Sequence, residues 1–293
     1  MPNLNGKTLL ITGATSGIGF EAAVALAAMG GRIVMVGRDP RKTTEKVAEA
    51  KHRSSSNQIE SLLCDFSSQA QIRKLAADFR ATHQRLDVLI NNAGTVFPDR
   101  RLTEDGLEST FAVNHLAYFL LTHLLLDLIE RSAPARVVNV ASKAHYSGSM
   151  NFEDLGFARG FGTFKAYARS KLGNVLFTRE LARRLAGKGV TANVLHPGVV
   201  ATGIWSHGAP TYARFLNPLL NLYAKLAMVT PAKGAETIVY LASSPEVEGK
   251  SGLYFDDQRE KVPGALALDD QLAAQLWAES ARLVKLPGAN GQP

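Results

Sequence analysis

Thr8-Leu-Leu-Ile-Thr-Gly-Ala-Thr-Ser-Gly-Ile-Gly19 carries the reading of the fold. The run Thr8–Ile11 is short, apolar and strand-like, and a helical period sets in from Gly19 to Ala28. Between them Gly13, Gly17 and Gly19 repeat as G-x-x-x-G-x-G, a spacing distinct from G-x-G-x-x-G. Glycines at a strand-to-helix turn let the backbone fold tightly and come close to a ligand. The helix that follows offers free N–H groups and the positive end of its dipole. A pyrophosphate suits that arrangement, so Gly13, Thr15, Ser16, Gly17, Ile18 and Gly19 are candidate contacts to a dinucleotide.

Outward from this turn the same alternation recurs. Apolar runs at Arg32–Val36, Ile59–Leu63, Asp87–Ile90, Arg136–Val140 and Thr191–Leu195 read as strands, with Gly252–Phe255 as a seventh candidate. Helical periodicity lies between them, for example over Ser68–Thr82, Glu104–Ile129 and Phe164–Leu185. Near-continuous apolar strands are buried on both faces, and intervening helices supply the crossovers. The expectation is an α/β fold, a doubly wound, mostly parallel sheet with helices on both faces. No hydrophilic linker divides the chain, so residues 1–293 read as one domain. The segments 145–162 and 202–228 break the alternation with aromatic and aliphatic content, which suits a substrate pocket and a lid at about 202–228. The periodic tail from Leu268 to Leu286 reads as a helix able to cover a subunit surface.

The chain has 293 residues, of which 46% are hydrophobic, enough for a sizeable core. Its net charge of +7 is spread among acids, as in Arg38-Asp-Pro-Arg-Lys42, and no basic stripe interleaved with aromatics points to nucleic acid. A solvated surface biased toward anionic small molecules is the simpler account. Met1–Lys7 is polar, so neither a secretory signal nor an integral membrane segment is expected. Cys64 is the single cysteine, which excludes a disulfide framework and a cysteine-based zinc site. A cytoplasmic setting follows as the default. His115, His123 and His145 lack metal-like spacing and read as packing or surface residues, while His196 reads as shaping its loop before Pro197.

In doubly wound sheets ligands gather at the carboxyl ends of the strands. The second strand ends at Gly37-Arg38, where an acidic residue would bond a ribose 2′-hydroxyl; a guanidinium there suits a 2′-phosphate instead. NADP(H) is thereby favoured, with NAD(H) possible. Asp65, beside Phe66, is placed to accept from the adenine amine, to cap the next helix, or to do both. Asn91-Asn92-Ala93-Gly94 brings small residues against a cofactor and asparagines able to tie strand ends together. Tyr167 and Lys171 stand four apart on one helix, so a phenol and an ammonium share a face. An ammonium beside a phenol favours the phenolate and suits it to proton transfer near neutral pH.

These blocks, with Asn114, Ser142 and His196-Pro197-Gly198 in order, resemble the short-chain dehydrogenase/reductase family over nearly the whole chain. The blocks Phe111–Leu125, Arg136–His145, Tyr167–Asn174 and Leu195–Thr202 are similar to its retinol-dehydrogenase-like branch. The gap of 25 positions between Ser142 and Tyr167 fits that branch, whereas Ala141 stands where it commonly carries a second serine. The resemblance implies hydride transfer on the B face, with Tyr167 as general acid or base. It implies Lys171 as the group that lowers the tyrosine and bonds the nicotinamide ribose, and Ser142 as donor to the substrate oxygen. Asn114 would fix a water leading from Lys171 to solvent. Pro197, Gly198, Val200 and Thr202 would border the nicotinamide. A small lipophilic alcohol, aldehyde or ketone is the expected substrate, and Trp205, Phe215 and Tyr223 would line its pocket or pack the lid. A biosynthetic ketone or conjugated ring system is the alternative, and a non-catalytic dinucleotide-binding regulator a third reading. A homo-dimer or homo-tetramer is implied as well.

Overall fold

The computed structural model describes residues 2–198 and 229–287. Val200, Thr202, the expected lid at 202–228 and its aromatics Trp205, Phe215 and Tyr223 therefore lie outside the described residues.

Among the described residues eight strands form one sheet in the order β3-β2-β1-β4-β5-β6-β7-β8. They are β1 Thr8–Thr12, β2 Arg32–Gly37, β3 Ile59–Leu63, β4 Val88–Asn91, β5 Ala135–Val140, β6 Val190–His196, β7 Tyr254–Asp256 and β8 Arg259–Lys261. The pairs from β1 to β7 are all parallel, and β8 alone is antiparallel. β1 is buried along its whole length, as its apolar run requires. β3 exposes Glu60 and Ser61 because it closes the sheet on one edge. The strand order reverses between β1 and β4, and that crevice is where such sheets take ligands.

Helices α1 Gly17–Ala28, α2 Pro40–Ser54 and α6 Pro231–Ser243 cover one face. Helices α3 Gln69–Thr82, α4 Ser109–Arg131, α5 Thr163–Arg184 and α7 Asp270–Leu283 cover the other. α4 is apolar and long enough to cross a membrane, but 72% of its most apolar window is buried, which is the pattern of a core helix. The periodic tail forms α7, which seats Trp277 5.1 Å from Phe119 and 5.8 Å from Phe177. Aromatic contacts of this kind add about 1 kcal/mol each beyond area burial.

The start of α4 and strand β8 depart from the sequence reading, and α2 forms without an apolar stripe, each for a local cause. α4 begins at Ser109 rather than near Glu104, because Gly106 turns at φ 76° and the Glu108 carboxylate accepts from the amides of Thr110 and Phe111. α2 buries only Thr43, Ala50 and Ser54, so it lacks an apolar stripe; its signal is instead Asp39-Pro40, where Asp39 caps Lys42 N at 2.8 Å. β8 is fully exposed and follows a two-residue turn with positive φ at both Asp257 and Gln258, a hairpin signature that overrides its polar sequence.

Candidate active site

The carboxyl ends of the strands open into a cleft of ≈ 1230 Å³. Its dinucleotide end is built by the first turn. Gly13 sits at φ 65°, and a Cβ there would come 2.8 Å from Ala93 Cα. A Cβ on Gly19 would come 2.3 Å from Asn92 Nδ2 and 2.7 Å from the Gly13 carbonyl. Asn92 uses that amide to donate to the carbonyls of Thr12 and Gly13, while Thr12 Oγ1 accepts from Asn92 N and Ala93 N. Asn91 likewise donates to Asn139 Oδ1 on β5, so the asparagines do tie strand ends together. Gly19→Ala is expected to weaken dinucleotide binding at least tenfold by forcing Asn92 off the turn, measured by fluorescence titration; unchanged affinity would remove Gly19 from this role.

Helix α1 has Ser16 as N-cap, with no side-chain hydrogen bond to the helix amides and no acid in its first turn. By contrast α2, α3, α6 and α7 are capped by Asp39, Ser68, Thr230 and Asp269. The amides of α1 are thus left for an anion, which is the fit a pyrophosphate needs.

Arg38 and Lys42 line the adenosine end, whereas Arg41 reaches toward Glu45 instead. A Cβ at Gly37 would come 2.1 Å from Thr43 Oγ1 and 2.6 Å from Thr15 Cγ2, so no acidic side chain fits there. Asp65 does not cap α3: its Oδ1 accepts from Ser67 N and Ser67 Oγ, and Ser68 caps the helix. Its other oxygen stands 3.8 Å from Arg38 Nη1.

At the other end Ser142 follows β5, and Tyr167 and Lys171 project from α5. All three line the cleft with Ile18, Phe66, Ala93, Gly94, Pro197 and Gly198. Lys171 Nζ donates to the Val140 carbonyl at 3.1 Å and lies 5.6 Å from the Tyr167 ring centroid. Burial drives its ammonium down to about 7. Burial also pushes the Tyr167 phenol above its ordinary value, and the Ser142 hydrogen bond opposes that rise. Desolvation acts on both groups and is the largest cause of each shift.

Asn114 does not line the cleft. It is fully buried behind it, in a π turn over Ala112–Leu116 within α4. Its Oδ1 accepts from Thr95 N at 2.8 Å, and its Nδ2 donates to Thr95 O and to Ser170 Oγ. A Cβ on Gly94 would come 3.3 Å from Asn114 Oδ1 and 3.6 Å from Lys171 Nζ, so Gly94 lies over both groups. Ser170 and Asn174, which the sequence reading passed over, complete this layer; Asn174 Nδ2 donates to the same Val140 carbonyl as Lys171. Their signal was available, since both share the inward face of α5 with Tyr167 and Lys171. The walls add Val96, Phe97, Pro98, Val113 and Phe164, an apolar set absent from the sequence candidates. His115 and His145 prove buried rather than surface residues, and no metal-binding cluster occurs among the described residues.

A glycine turn with an uncapped helix, set beside a serine, tyrosine and lysine at one strand end, defines a nicotinamide-dinucleotide oxidoreductase of the doubly wound class. The chain matches the short chain dehydrogenase family over residues 7–212 and belongs to it. It is thus an NAD(P)-dependent oxidoreductase acting on CH–OH groups. Retinol dehydrogenase 13 of Homo sapiens is 42% identical over 291 residues, covering 98% of this chain and 88% of that protein. A crystal structure of an uncharacterized protein from Mycobacterium Paratuberculosis superposes with TM-score 0.78 at 32% identity, covering 97% of this chain and 96% of that one. The Pseudomonas aeruginosa RhlG/NADP active-site complex superposes with TM-score 0.70 at 27% identity, covering 91% and 98%.

Proposed function

We propose that the chain is an NADP(H)-dependent alcohol/carbonyl oxidoreductase for a lipophilic alcohol, aldehyde or ketone, similar in chemistry to the retinol dehydrogenases it resembles. The observation that carries this reading is the meeting of Ser142, Tyr167 and a buried Lys171 at the end of β5, beside an apolar wall. Bound nicotinamide supplies or accepts the hydride. Tyr167 gives its proton to the substrate oxygen in reduction and takes it back in oxidation. Ser142 hydrogen-bonds that oxygen as its charge develops, and it meets the phenol already in this cleft. Lys171, its ammonium brought down to about 7 by burial, is the group that returns a proton to Tyr167, and Asn114 braces the backbone beside it. Val96, Phe97, Pro98, Val113 and Phe164 exclude water and favour an apolar substrate body.

The deciding test follows NADPH and NADH absorbance against all-trans-retinal, decanal, benzaldehyde and cyclohexanone. Turnover with NADPH and an apolar aldehyde is the expected result; activity confined to small polar carbonyls would reject the substrate class. The cofactor preference rests on Arg38 and Lys42 together with the steric bar to an acid at Gly37. A charge-assisted hydrogen bond contributes about 1.5–3 kcal/mol, or roughly 10–100-fold. Arg38→Asp should therefore lower the ratio of NADP to NAD efficiency by at least about tenfold. An unchanged ratio would reject Arg38 as the selector.

A further inference from the structure

We propose that His145 is a positioning residue for Ser142, a latch that holds the substrate-oxygen donor by joining its turn to the loop at 262–268; this rests on the role assigned to Ser142 above. His145 lies in the short turn Lys143–Ser147 that Ser142 opens. Its Nδ1 is 2.7 Å from the Ser142 carbonyl oxygen, and its Nε2 is 3.0 Å from Gly264 N, 119 positions away in the chain. A carbonyl can only accept and a backbone N–H can only donate. The two partners therefore leave one arrangement, a neutral ring with the proton on Nδ1. Both ring nitrogens are spent on backbone, so the residue acts as a rigid strut between two segments.

The surroundings hold the strut in place. The ring is 1% exposed, and it lies 4.1 Å from the Tyr146 ring and 4.8 Å from that of Tyr254. Burial keeps His145 below the ordinary histidine range, in keeping with the neutral form. A second tie runs parallel to the first: the Tyr146 hydroxyl donates to the Val262 carbonyl at 2.8 Å. The carbonyl of Ser142 thus takes both the His145 backbone amide, at 3.0 Å, and the imidazole. With the carbonyl held from both, the Cα–Cβ direction of Ser142 is set, and its Oγ is aimed at the place where the substrate oxygen must meet Tyr167. A histidine that merely filled space would not need its two nitrogens matched to a fixed acceptor and a fixed donor.

Two substitutions separate the two ends of the strut. In His145→Asn the side-chain amide replaces Nδ1 and still reaches the Ser142 carbonyl, but the tie to Gly264 is lost. In His145→Gln the amide replaces Nε2, keeps the tie to Gly264 and loses the Ser142 carbonyl. Each is assayed with NADPH and the panel aldehyde of highest kcat/KM, alongside its melting temperature and Ser142→Ala as control. We expect Ser142→Ala to lower kcat about hundredfold. We expect His145→Gln to lower kcat at least about tenfold while KM for NADPH stays within about twofold. His145→Asn should lose melting temperature and also lower kcat at least about tenfold, because the Ser142 turn is then no longer joined to Gly264. Full kcat in either variant while Ser142→Ala is impaired, or a KM for NADPH that rises in step with the loss of kcat, would overturn the latch. An active Ser142→Ala would instead overturn the reading on which it rests.

Discussion

Tyr167→Phe is expected to lower kcat by about two to four orders of magnitude while dinucleotide binding stays intact. The substitution deletes one hydroxyl and leaves the ring, which is 7% exposed and packed within α5. General acid catalysis by a positioned side chain contributes roughly 10²–10⁴ in rate, and the proposed role of the phenol is to give or take the proton at the substrate oxygen. The dinucleotide end of the cleft is built by the Gly13 turn and α1, so its affinity should hold. The check is a pair of measurements on one preparation, turnover with NADPH and titration of NADPH binding. Turnover within about threefold of the parent would sink the assigned chemistry.

The second large effect is at Lys171, where activity and stability should move in opposite directions. Lys171→Met is expected to reduce turnover at least about hundredfold, because the group that returns a proton to Tyr167 is gone. The same change should raise the melting temperature at pH 7 in the absence of dinucleotide. Burial drives the folded-state value down to about 7 from an ordinary 10.5. Between those two values the unfolded chain keeps a proton that the folded chain gives up. Stability attributable to Lys171 therefore rises with pH from about 7 upward, and it is lowest below 7, where an ammonium must stay buried. Melting curves from pH 7 to about pH 8.5 should show that slope in the parent and lack it in Lys171→Met. A variant that melts lower and keeps the slope would show that the lysine is stabilised in place.

Much of this was legible because it is local. The Gly13 turn between an apolar run and a helical period needs no distant partner to be recognised, and its glycines are spaced by the geometry of that turn alone. Tyr167 and Lys171 share a helix face by the period of the α-helix. The absence of an acid at the end of β2 could be read from Gly37-Arg38, although the reason no acid fits, the close approach of Thr15 and Thr43, could not. Helix α2 follows from the alternation of strands and helices rather than from an apolar stripe, since it buries only three side chains. Strand β8 was missed because an exposed edge strand has no apolar run. Asn114 was placed in a helix, but the π turn that seats its amide between Thr95 and Ser170 has no signature in spacing. His145 shows only a packing or surface histidine in sequence, because its two partners are the Ser142 carbonyl and an amide 119 positions away.

Local chemistry along the chain sets the alternation of strands and helices, the glycine turn that approaches a dinucleotide, and the face shared by Tyr167 and Lys171. Each follows from periodicity or from the conformational freedom of glycine, which act over a few residues. The tertiary structure alone decided that β1 lies beside β4 and that Ser142 meets Tyr167. It also decided that Asn114 sits behind the cleft and that the C-terminal loop reaches His145. Above all it decided that burial drives the Lys171 ammonium down, since desolvation is the sum of everything packed around a group and no single segment of the chain carries it.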